Sequence, residues 1–184
     1  MLKKILFALA ATLALFAVVI ALQPSTFHIE RSTTIAAPPA TVAALVNDFH
    51  AWQRWSPWER LDPTMKRTYE GPATGVNASY AWSGNDDVGE GRMTIERSSP
   101  SKTVIRLEFI KPFAATNTAT FIFVPVAGGT KVTWAMGGYK NFGSKAFGLV
   151  MDMDKVVGSD FERGLAQLKI AAESAQKPGA PSPP

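Results

Sequence analysis

The chain has 184 residues, a formal net charge of +4 and no cysteine. Removing an apolar N-terminus and a Pro-rich tail leaves about 150 residues, the size of one domain with one hydrophobic core. The lack of cysteine excludes disulfides and thiolate chemistry, and a small net charge without a basic run argues against a nucleic-acid partner.

The N-terminus carries an apolar segment behind the basic residues Lys3 and Lys4. From Ile5 to Leu22 no residue is charged. This segment is close to the roughly 20 residues that span a bilayer and longer than the usual core of a signal peptide. It predicts an uncleaved membrane anchor at 1–23. A signal peptide cleaved after Ala21, which would give a secreted protein, remains an alternative. In both cases the positive-inside rule predicts that the domain lies on the extracytoplasmic side, periplasmic or extracellular.

The first elements of the domain follow the anchor. The β-branched stretch "FHIERSTTIA" predicts a strand that stops at Pro38 and Pro39. Pro39 suits the first turn of the short amphipathic helix predicted in "ATVAALVNDF". A second short helix is predicted in "HAWQRWSPW", where Trp52, Trp55 and Trp58 recur every three residues until Pro57 ends it.

Six further strands are predicted by period-two patterns between turn signals. They are "MKRTYE", "NASYAW", "GRMTIERS", "KTVIRLEF", "TNTATFIFVP" and "GTKVTWAMG". A long helix is then predicted from Ser144 to Ser174, and a disordered Pro-rich tail at 175–184. The folded domain is therefore expected at 24–174.

The fold class follows from what each element has to bury. A seven-stranded antiparallel sheet with one apolar face and a long helix with an apolar stripe cover one another if the sheet curves around the helix. We therefore expect an α+β helix-grip fold with two short helices after the first strand.

No motif of a catalytic or metal site is found in the sequence. His28 and His50 lie in different elements and have no cysteine partner, so we expect no metal and no other cofactor. "SPSK" at 99–102 matches S-x-x-K only within a turn. "NDDVGE" lacks the spacing of a calcium loop and is interpreted as a solvated turn.

Aromatic residues at period-two positions are the candidate lining of a pocket. Tyr80 and Trp82, Phe121 and Phe123, and Trp134 fall on predicted strands and can face the inside of a curved sheet. Ordinary core packing is the alternative for most of them, because large aromatic side chains dominate cores.

Asp154 is the unusual residue of the long predicted helix. At 100° per residue it falls in the middle of an apolar stripe that includes Phe147, Val150, Met151 and Phe161. It either pairs with a sheet arginine, such as Arg92 or Arg106, or faces a cavity, where it would orient a ligand or transfer protons.

Three stretches carry a resemblance to a known superfamily. They are "ERSTTIAAPPATVAALVNDFHAWQRWSPW", "GGTKVTWAMGG" and "MDMDKVVGSDFERGLAQLK". Over residues 28–173 the chain resembles the SRPBCC (START-like) superfamily, in its polyketide cyclase/dehydrase branch. The resemblance implies a helix-grip fold with a deep cavity for hydrophobic molecules such as lipids, sterols or polyketides. It implies no particular reaction, because the superfamily contains enzymes, carriers and binding proteins.

The leading hypothesis is a membrane-tethered carrier of a hydrophobic or amphipathic small molecule. Its predicted ligand-binding residues are Tyr80, Trp82, Phe121, Phe123, Trp134, Asp154 and Phe161. A cyclase or dehydratase, with Asp154 and Tyr80 as its acid–base pair, is the alternative. A third hypothesis is an interaction domain whose tryptophan cluster at 52–58 contacts the bilayer or a partner protein. The ligand and the oligomeric state are left open.

Overall fold

The computed structural model describes residues 1–176, so the predicted tail at 175–184 lies outside the described residues except for its first two positions. In this part of the chain the α-helices are α1 Leu2–Ala21, α2 Pro39–Asn47, α3 Phe142–Phe147 and α4 Met153–Ser174. The strands are β1 Thr26–Ile35, β2 Lys66–Glu70, β3 Ser79–Ser83, β4 Glu90–Ser99, β5 Lys102–Lys111, β6 Ala115–Val126 and β7 Gly129–Tyr139. Two 3-10 helices, Phe49–Arg54 and Pro57–Arg60, lie between α2 and β2.

The seven strands form one antiparallel sheet in the order β1-β7-β6-β5-β4-β3-β2. Alternate residues face inward, as on β6, where Ala119, Phe121 and Phe123 are buried and the residues between them are more accessible. A register shift between Ile95 and Arg97 interrupts the pairing of β4 with β5. Such irregularities increase the bending of a strand. The predicted sheet and helix-grip fold are confirmed.

Helix α4 crosses the inner face of the sheet and buries one stripe of small and apolar residues. This stripe consists of Gly158, Phe161, Gly164, Leu165, Leu168, Ala171 and Ala172. The lack of a side chain at Gly164 allows α4 to approach the sheet closely, because a Cβ atom there would lie 2.7 Å from Cζ3 of Trp134 on β7. The helix therefore packs directly on the ring of Trp134.

The predicted continuous helix from Ser144 to Ser174 is wrong in its first third. The chain forms the short helix α3, leaves helical structure after Gly148, and starts α4 at Met153. The side chain of Asp152 accepts a hydrogen bond from the backbone nitrogen of Lys155 at 3.2 Å, which caps the start of α4. Val150 is consequently 84% exposed rather than part of a buried stripe.

The tryptophans after α2 belong to the core rather than to a continuous helix. Trp52 donates its indole hydrogen bond to the carbonyl of Val46 at 3.0 Å, and Trp55 donates to the carbonyl of Leu45 at 3.1 Å. Both side chains are almost fully buried, whereas Trp58 is half-buried. The first two tryptophans therefore fix the 3-10 helix Phe49–Arg54 against the end of α2.

Candidate functional site

A cavity of about 270 Å³ lies between the inner face of the sheet, the 3-10 helices and the first turns of α4. Most of its wall is apolar. The sheet contributes Tyr80, Trp82, Met93, Leu107, Ala119 and Trp134, and α4 contributes Val157 and Phe161. This position follows from the inward register of the strands, because period-two alternation places these sheet residues on the face that α4 covers.

One wall of the cavity carries a buried polar cluster of Glu59, Arg67 and Tyr80. The side chain of Glu59 is only 5% exposed. Its Oε1 accepts a hydrogen bond from the Tyr80 hydroxyl at 2.7 Å, and its Oε2 accepts one from Nε of Arg67 at 2.7 Å. The guanidinium also donates to the backbone carbonyl of Met65 at 2.9 Å. The charge of the carboxylate is thus balanced inside the wall of the cavity.

The pKa values of Tyr80 and Arg67, the two donors to Glu59, are both raised. Burial, and then the hydrogen bond to Glu59, raise the pKa of Tyr80 far above its ordinary value of 10.0. The hydrogen bond that Arg67 donates to Glu59 raises the pKa of Arg67 as well. Tyr80 therefore keeps its proton at neutral pH and acts as a hydrogen-bond donor rather than as a base.

Another part of the cavity wall is an aromatic stack centred on Trp134. Its ring lies parallel to that of Phe161 on α4, with centroids 4.2 Å apart, and stacks on Phe121 at 4.9 Å. The edge of Trp58 meets the same ring at 5.7 Å. Among the described residues, Trp134 Nε1 is the one buried side-chain nitrogen or oxygen without a hydrogen-bond partner. The stack therefore includes a hydrogen-bond donor that the protein leaves unused.

The β3–β4 loop covers one end of the cavity. Trp82 donates its indole hydrogen bond to the carbonyl of Val88 at 2.9 Å, which holds the loop against the cavity wall. Asp62 accepts a hydrogen bond from the backbone nitrogen of Asn85 at 2.8 Å and fixes the other side of the loop. Asp87 in this loop and Asp160 on α4 also line the cavity, so its lining includes two carboxylates besides Glu59.

The six aromatic residues predicted for the site separate into two groups. Tyr80, Trp82, Trp134 and Phe161 are brought together on the cavity wall. Phe121 and Phe123 are 0% and 1% exposed and belong to the packed core. Phe121 supports the Trp134 ring from behind, so these two phenylalanines pack the site without lining it.

Asp154 lies outside the cavity, so the expectation that it occupies the centre of a buried stripe is wrong. It is in the first turn of α4, and its side chain is 58% exposed. Its partner is neither Arg92 nor Arg106 but Arg31 on β1, whose guanidinium donates to both carboxylate oxygens at 3.0 and 3.1 Å. This contact lowers the pKa of Asp154 and raises that of Arg31. Asp154 and Tyr80 consequently do not form the acid–base pair that the enzyme hypothesis required.

The most polar residues of the site, Glu59 and Arg67, were not predicted from the sequence. Glu59 lies in the 3-10 helix Pro57–Arg60, in which no periodic pattern separates buried from exposed residues. Arg67 does carry a signal: it precedes Tyr69 by two positions on β2 and shares its inward face. A charged residue in the inward register of a strand indicates a buried ion pair or a ligand contact.

The two histidines are paired with nearby carboxylates. His28 contacts Glu30 at 3.3 Å, and His50 contacts Asp48 at 3.2 Å. Within residues 1–176 no group of three His, Asp or Glu side chains is arranged to hold a metal ion.

An antiparallel sheet that encloses an apolar cavity against a C-terminal helix defines the helix-grip class of domains. Solved structures of this class resemble the chain at low sequence identity. Protein CV1439 from Chromobacterium violaceum is 14% identical, with a TM-score of 0.57 over 82% of this chain and 99% of that one. The Aha1 dimer protein from Colwellia psychrerythraea is 15% identical, with a TM-score of 0.58 over 82% of this chain and 99% of that one.

A biosynthetic protein also shares the fold. The di-domain ARO/CYC protein StfQ from the steffimycin biosynthetic pathway is 12% identical, with a TM-score of 0.57 over 82% of this chain and 52% of that one. At these identities the likeness shows the fold alone. No curated protein sequence matches the chain.

The sequence itself identifies the family. Residues 26–173 match the family described as polyketide cyclase/dehydrase and lipid transport, and the chain belongs to that family. This confirms the SRPBCC-type resemblance seen in the sequence.

Proposed function

We propose that this protein binds a compact hydrophobic or amphipathic molecule in the cavity and is tethered to a membrane by α1. The observation that carries the proposal is the apolar cavity with one polar cluster, Glu59–Arg67–Tyr80, in its wall. A concave apolar site with a few converging polar groups is the usual form of a small-molecule site. The family, which includes lipid transport proteins, is consistent with this class of ligand.

The size of the cavity restricts the ligand. At about 270 Å³ it lies just below the lower end of the roughly 300–1,000 Å³ range of ligand pockets. A small aromatic or alicyclic molecule, or one acyl chain of a larger lipid, is therefore favoured over a complete phospholipid. Flat rings are favoured further by the aromatic side chains that line the cavity, such as Tyr80, Trp82 and Phe161, because aromatic pairs gain about 0.5–1.5 kcal/mol beyond area burial.

The polar wall restricts the polar group of the ligand. The Glu59–Arg67 pair is neutral as a unit, so it provides little attraction for a ligand with a net charge. Glu59 retains lone pairs that can accept a hydrogen bond. A hydroxyl group on an otherwise apolar ligand matches this acceptor best.

The tether is supported by the composition of α1. Its 20 residues are apolar except for Lys3, Lys4 and Thr12, and nearly the whole helix is exposed. At about 1.5 Å per residue such a helix reaches about 30 Å, the thickness of the hydrocarbon core. With both lysines on the cytoplasmic side, the domain would lie on the extracytoplasmic side.

Native mass spectrometry of the full chain, purified from its own membranes, tests the proposal. We expect a co-purified apolar molecule on the wild-type protein. Ala119→Leu, which adds volume inside the cavity, should lose this molecule, whereas Ala115→Leu at an exposed position of the same strand should keep it. Wild-type protein without any bound molecule, or equal binding by a folded Ala119→Leu variant, would contradict the proposal.

Catalysis by the cyclase or dehydratase type of enzyme is the second candidate, and the Glu59–Tyr80 pair in the cavity favours it. A carboxylate beside a phenol is a plausible acid–base arrangement near a carbonyl group. The ion pair between Glu59 and Arg67 argues against Glu59 as the catalytic base. Incubating the protein with its co-purified molecule separates the two functions, because a carrier returns that molecule unchanged, whereas a dehydratase lowers its mass by one water and a cyclase alters its NMR spectrum.

A further inference from the structure

The segment from the start of α3 to the first turn of α4 exposes an unusual number of large apolar side chains. These are Phe142, Phe147, Leu149, Val150, Met151, Met153 and Val156, each at least 37% exposed. Several lie in the non-helical stretch between α3 and α4, which contributes little to the core. Contiguous exposed apolar surface of this kind is rare on soluble domains and marks a contact with a partner or a membrane.

This segment lies beside the end of α1. Lys145 on α3 donates a hydrogen bond from Nζ to the carbonyl of Ala21, the last residue of α1, at 3.1 Å. Ile20 is the one buried residue of α1. The end of α1 is thus packed on the domain at α3, while the rest of α1 is exposed.

Two further exposed aromatic residues lie at the same end of the sheet. The pairing of Thr26 with Tyr139 places the start of β1 and the end of β7 there, and Tyr139 is 81% exposed. Phe113, also 81% exposed, lies in the β5–β6 loop. Because β6 begins at this loop and pairs with the end of β7, Phe113 is on the same end as Tyr139.

We propose that these residues form a bilayer-contact surface, consisting of Phe113, Tyr139 and the exposed apolar residues of 142–156. The inference rests on the proposed tether. Only residues 22–25 separate α1 from β1, and four extended residues span at most about 14 Å, so this end of the domain is held at the membrane surface. Apolar side chains there enter the boundary between headgroups and acyl chains, where aromatic and aliphatic residues bind most favourably.

This orientation also directs the cavity toward the membrane. The β3–β4 loop, which contributes Asp87 and Val88 to the cavity, joins its strands at the same end of the sheet as the β5–β6 loop. Val157, which directly follows the exposed segment, and Asp160, one turn further along α4, line the cavity. The bilayer is therefore the source of the ligand, which makes a membrane amphiphile, entering apolar part first, the favoured ligand class.

Fluorescence quenching on the full chain tests the contact, because a chain without cysteine accepts single labels. Val150→Cys is labelled with a polarity-sensitive fluorophore, and the protein is reconstituted in phosphatidylcholine vesicles that contain spin-labelled phosphatidylcholine. Val126→Cys is the matched control, since Val126 is an exposed valine at the opposite end of the sheet. We expect blue-shifted emission and loss of fluorescence at position 150, and neither at position 126.

Vesicle flotation and the two labels together distinguish failure of the contact surface from failure of the tether. If the chain floats with the vesicles but the label at position 150 behaves like that at 126, the contact surface is refuted while the tether stands. If the chain does not float with the vesicles, tether and contact surface both fail, and ligand binding in detergent is judged separately. If cross-linking shows that a second copy of the chain covers position 150, the surface is an interface between two protein chains and the bilayer contact is refuted.

Discussion

Tyr80 and Glu59 join two different parts of the fold across the cavity wall. The tyrosine hydroxyl on β3 donates a 2.7 Å hydrogen bond to the carboxylate of Glu59 in the 3-10 helix Pro57–Arg60. Neither residue is more than 9% exposed. Because Arg67 holds the second carboxylate oxygen, the carboxylate has one orientation toward the cavity.

We expect Tyr80→Phe to lower both stability and ligand affinity. The substitution keeps the ring and removes one donor to a buried carboxylate, and hydrogen bonds to charged groups are worth about 1.5–3 kcal/mol. Urea unfolding should show a loss of this size with an unchanged m-value. Tyr139→Phe, at an exposed tyrosine, is the control and should leave the free energy of unfolding unchanged. If Tyr80→Phe is as stable as the wild type, the hydrogen bond from Tyr80 to Glu59 makes no net contribution to the free energy of unfolding.

The ion pair between Glu59 and Arg67 should behave as a coupled unit. Glu59→Gln alone leaves the guanidinium without its counter-charge, which costs up to about 3–5 kcal/mol for a fully buried pair and less here, since Arg67 is 22% exposed. Adding Arg67→Met removes the stranded cation. A double-mutant cycle in urea should therefore give a coupling energy of about 0.5–3 kcal/mol. Additive effects of the two substitutions would show that the pair is not coupled.

The sheet could be predicted from the sequence because its signal is local. A strand such as β6 alternates between buried and exposed residues, and that period-two pattern is visible without any knowledge of its partners. The same alternation identified Tyr80, Trp82 and Trp134 as inward-facing. It could not distinguish the cavity wall from the solid core, so Phe121 and Phe123 were included on the same grounds.

Asp154 shows where a periodic pattern gives a false result. The apolar residues Phe147, Val150 and Met151 fit a helical stripe, but Asp152 caps a new helix and the stripe is interrupted there. The apolar side chains of this stretch face outward instead of toward the core. The partner of Asp154 could not be predicted either, because Arg31 is 123 residues away in the sequence and is brought close by tertiary packing alone.

We expect Asp154→Asn to reduce stability slightly and in a pH-dependent manner. The hydrogen bonds from Arg31 lower the pKa of Asp154 below its ordinary value of 3.8. A lowered pKa in the folded state means that the ion pair stabilises the protein above the ordinary value and that this contribution disappears as the pH falls through the folded-state pKa. Arg31 keeps a second partner, Glu162, at 2.8 Å, so the loss should be smaller than that of Tyr80→Phe.

Urea midpoints at pH 7 and at a pH below the folded-state pKa of Asp154 provide the measurement for Asp154→Asn. Wild type and variant should differ at neutral pH and converge in acid. Asp86→Asn, in the exposed β3–β4 loop, is the control and should match the wild type at both values. A change in ligand binding with unchanged stability would restore a functional role for Asp154.

The close packing of α4 on the sheet predicts that Gly164→Ala is destabilising. Alanine favours a helix over glycine by about 1 kcal/mol. At this position, however, the added methyl group would lie 2.7 Å from Cζ3 of Trp134, whose ring is held between Phe161 and Phe121. Overpacking costs about 1–3 kcal/mol, so we expect a net loss of up to about 2 kcal/mol. Gly148→Ala, at an exposed glycine with a helical φ of −65°, should be neutral or stabilising.

The final prediction concerns the N-terminus: the mature protein should retain α1. The apolar segment is longer than a usual signal core, and the end of α1 is bound to the domain through Lys145 and the buried Ile20. Intact mass and N-terminal sequencing of protein from its own membranes should therefore find residues 1–21 present, and alkaline carbonate should not release the chain. Lys145→Met, which removes the contact with Ala21, should leave both results unchanged, because in the proposed arrangement the bilayer and not the domain retains the helix. A mature chain that begins at Leu22 would show that α1 is a cleaved signal peptide and that the domain is secreted.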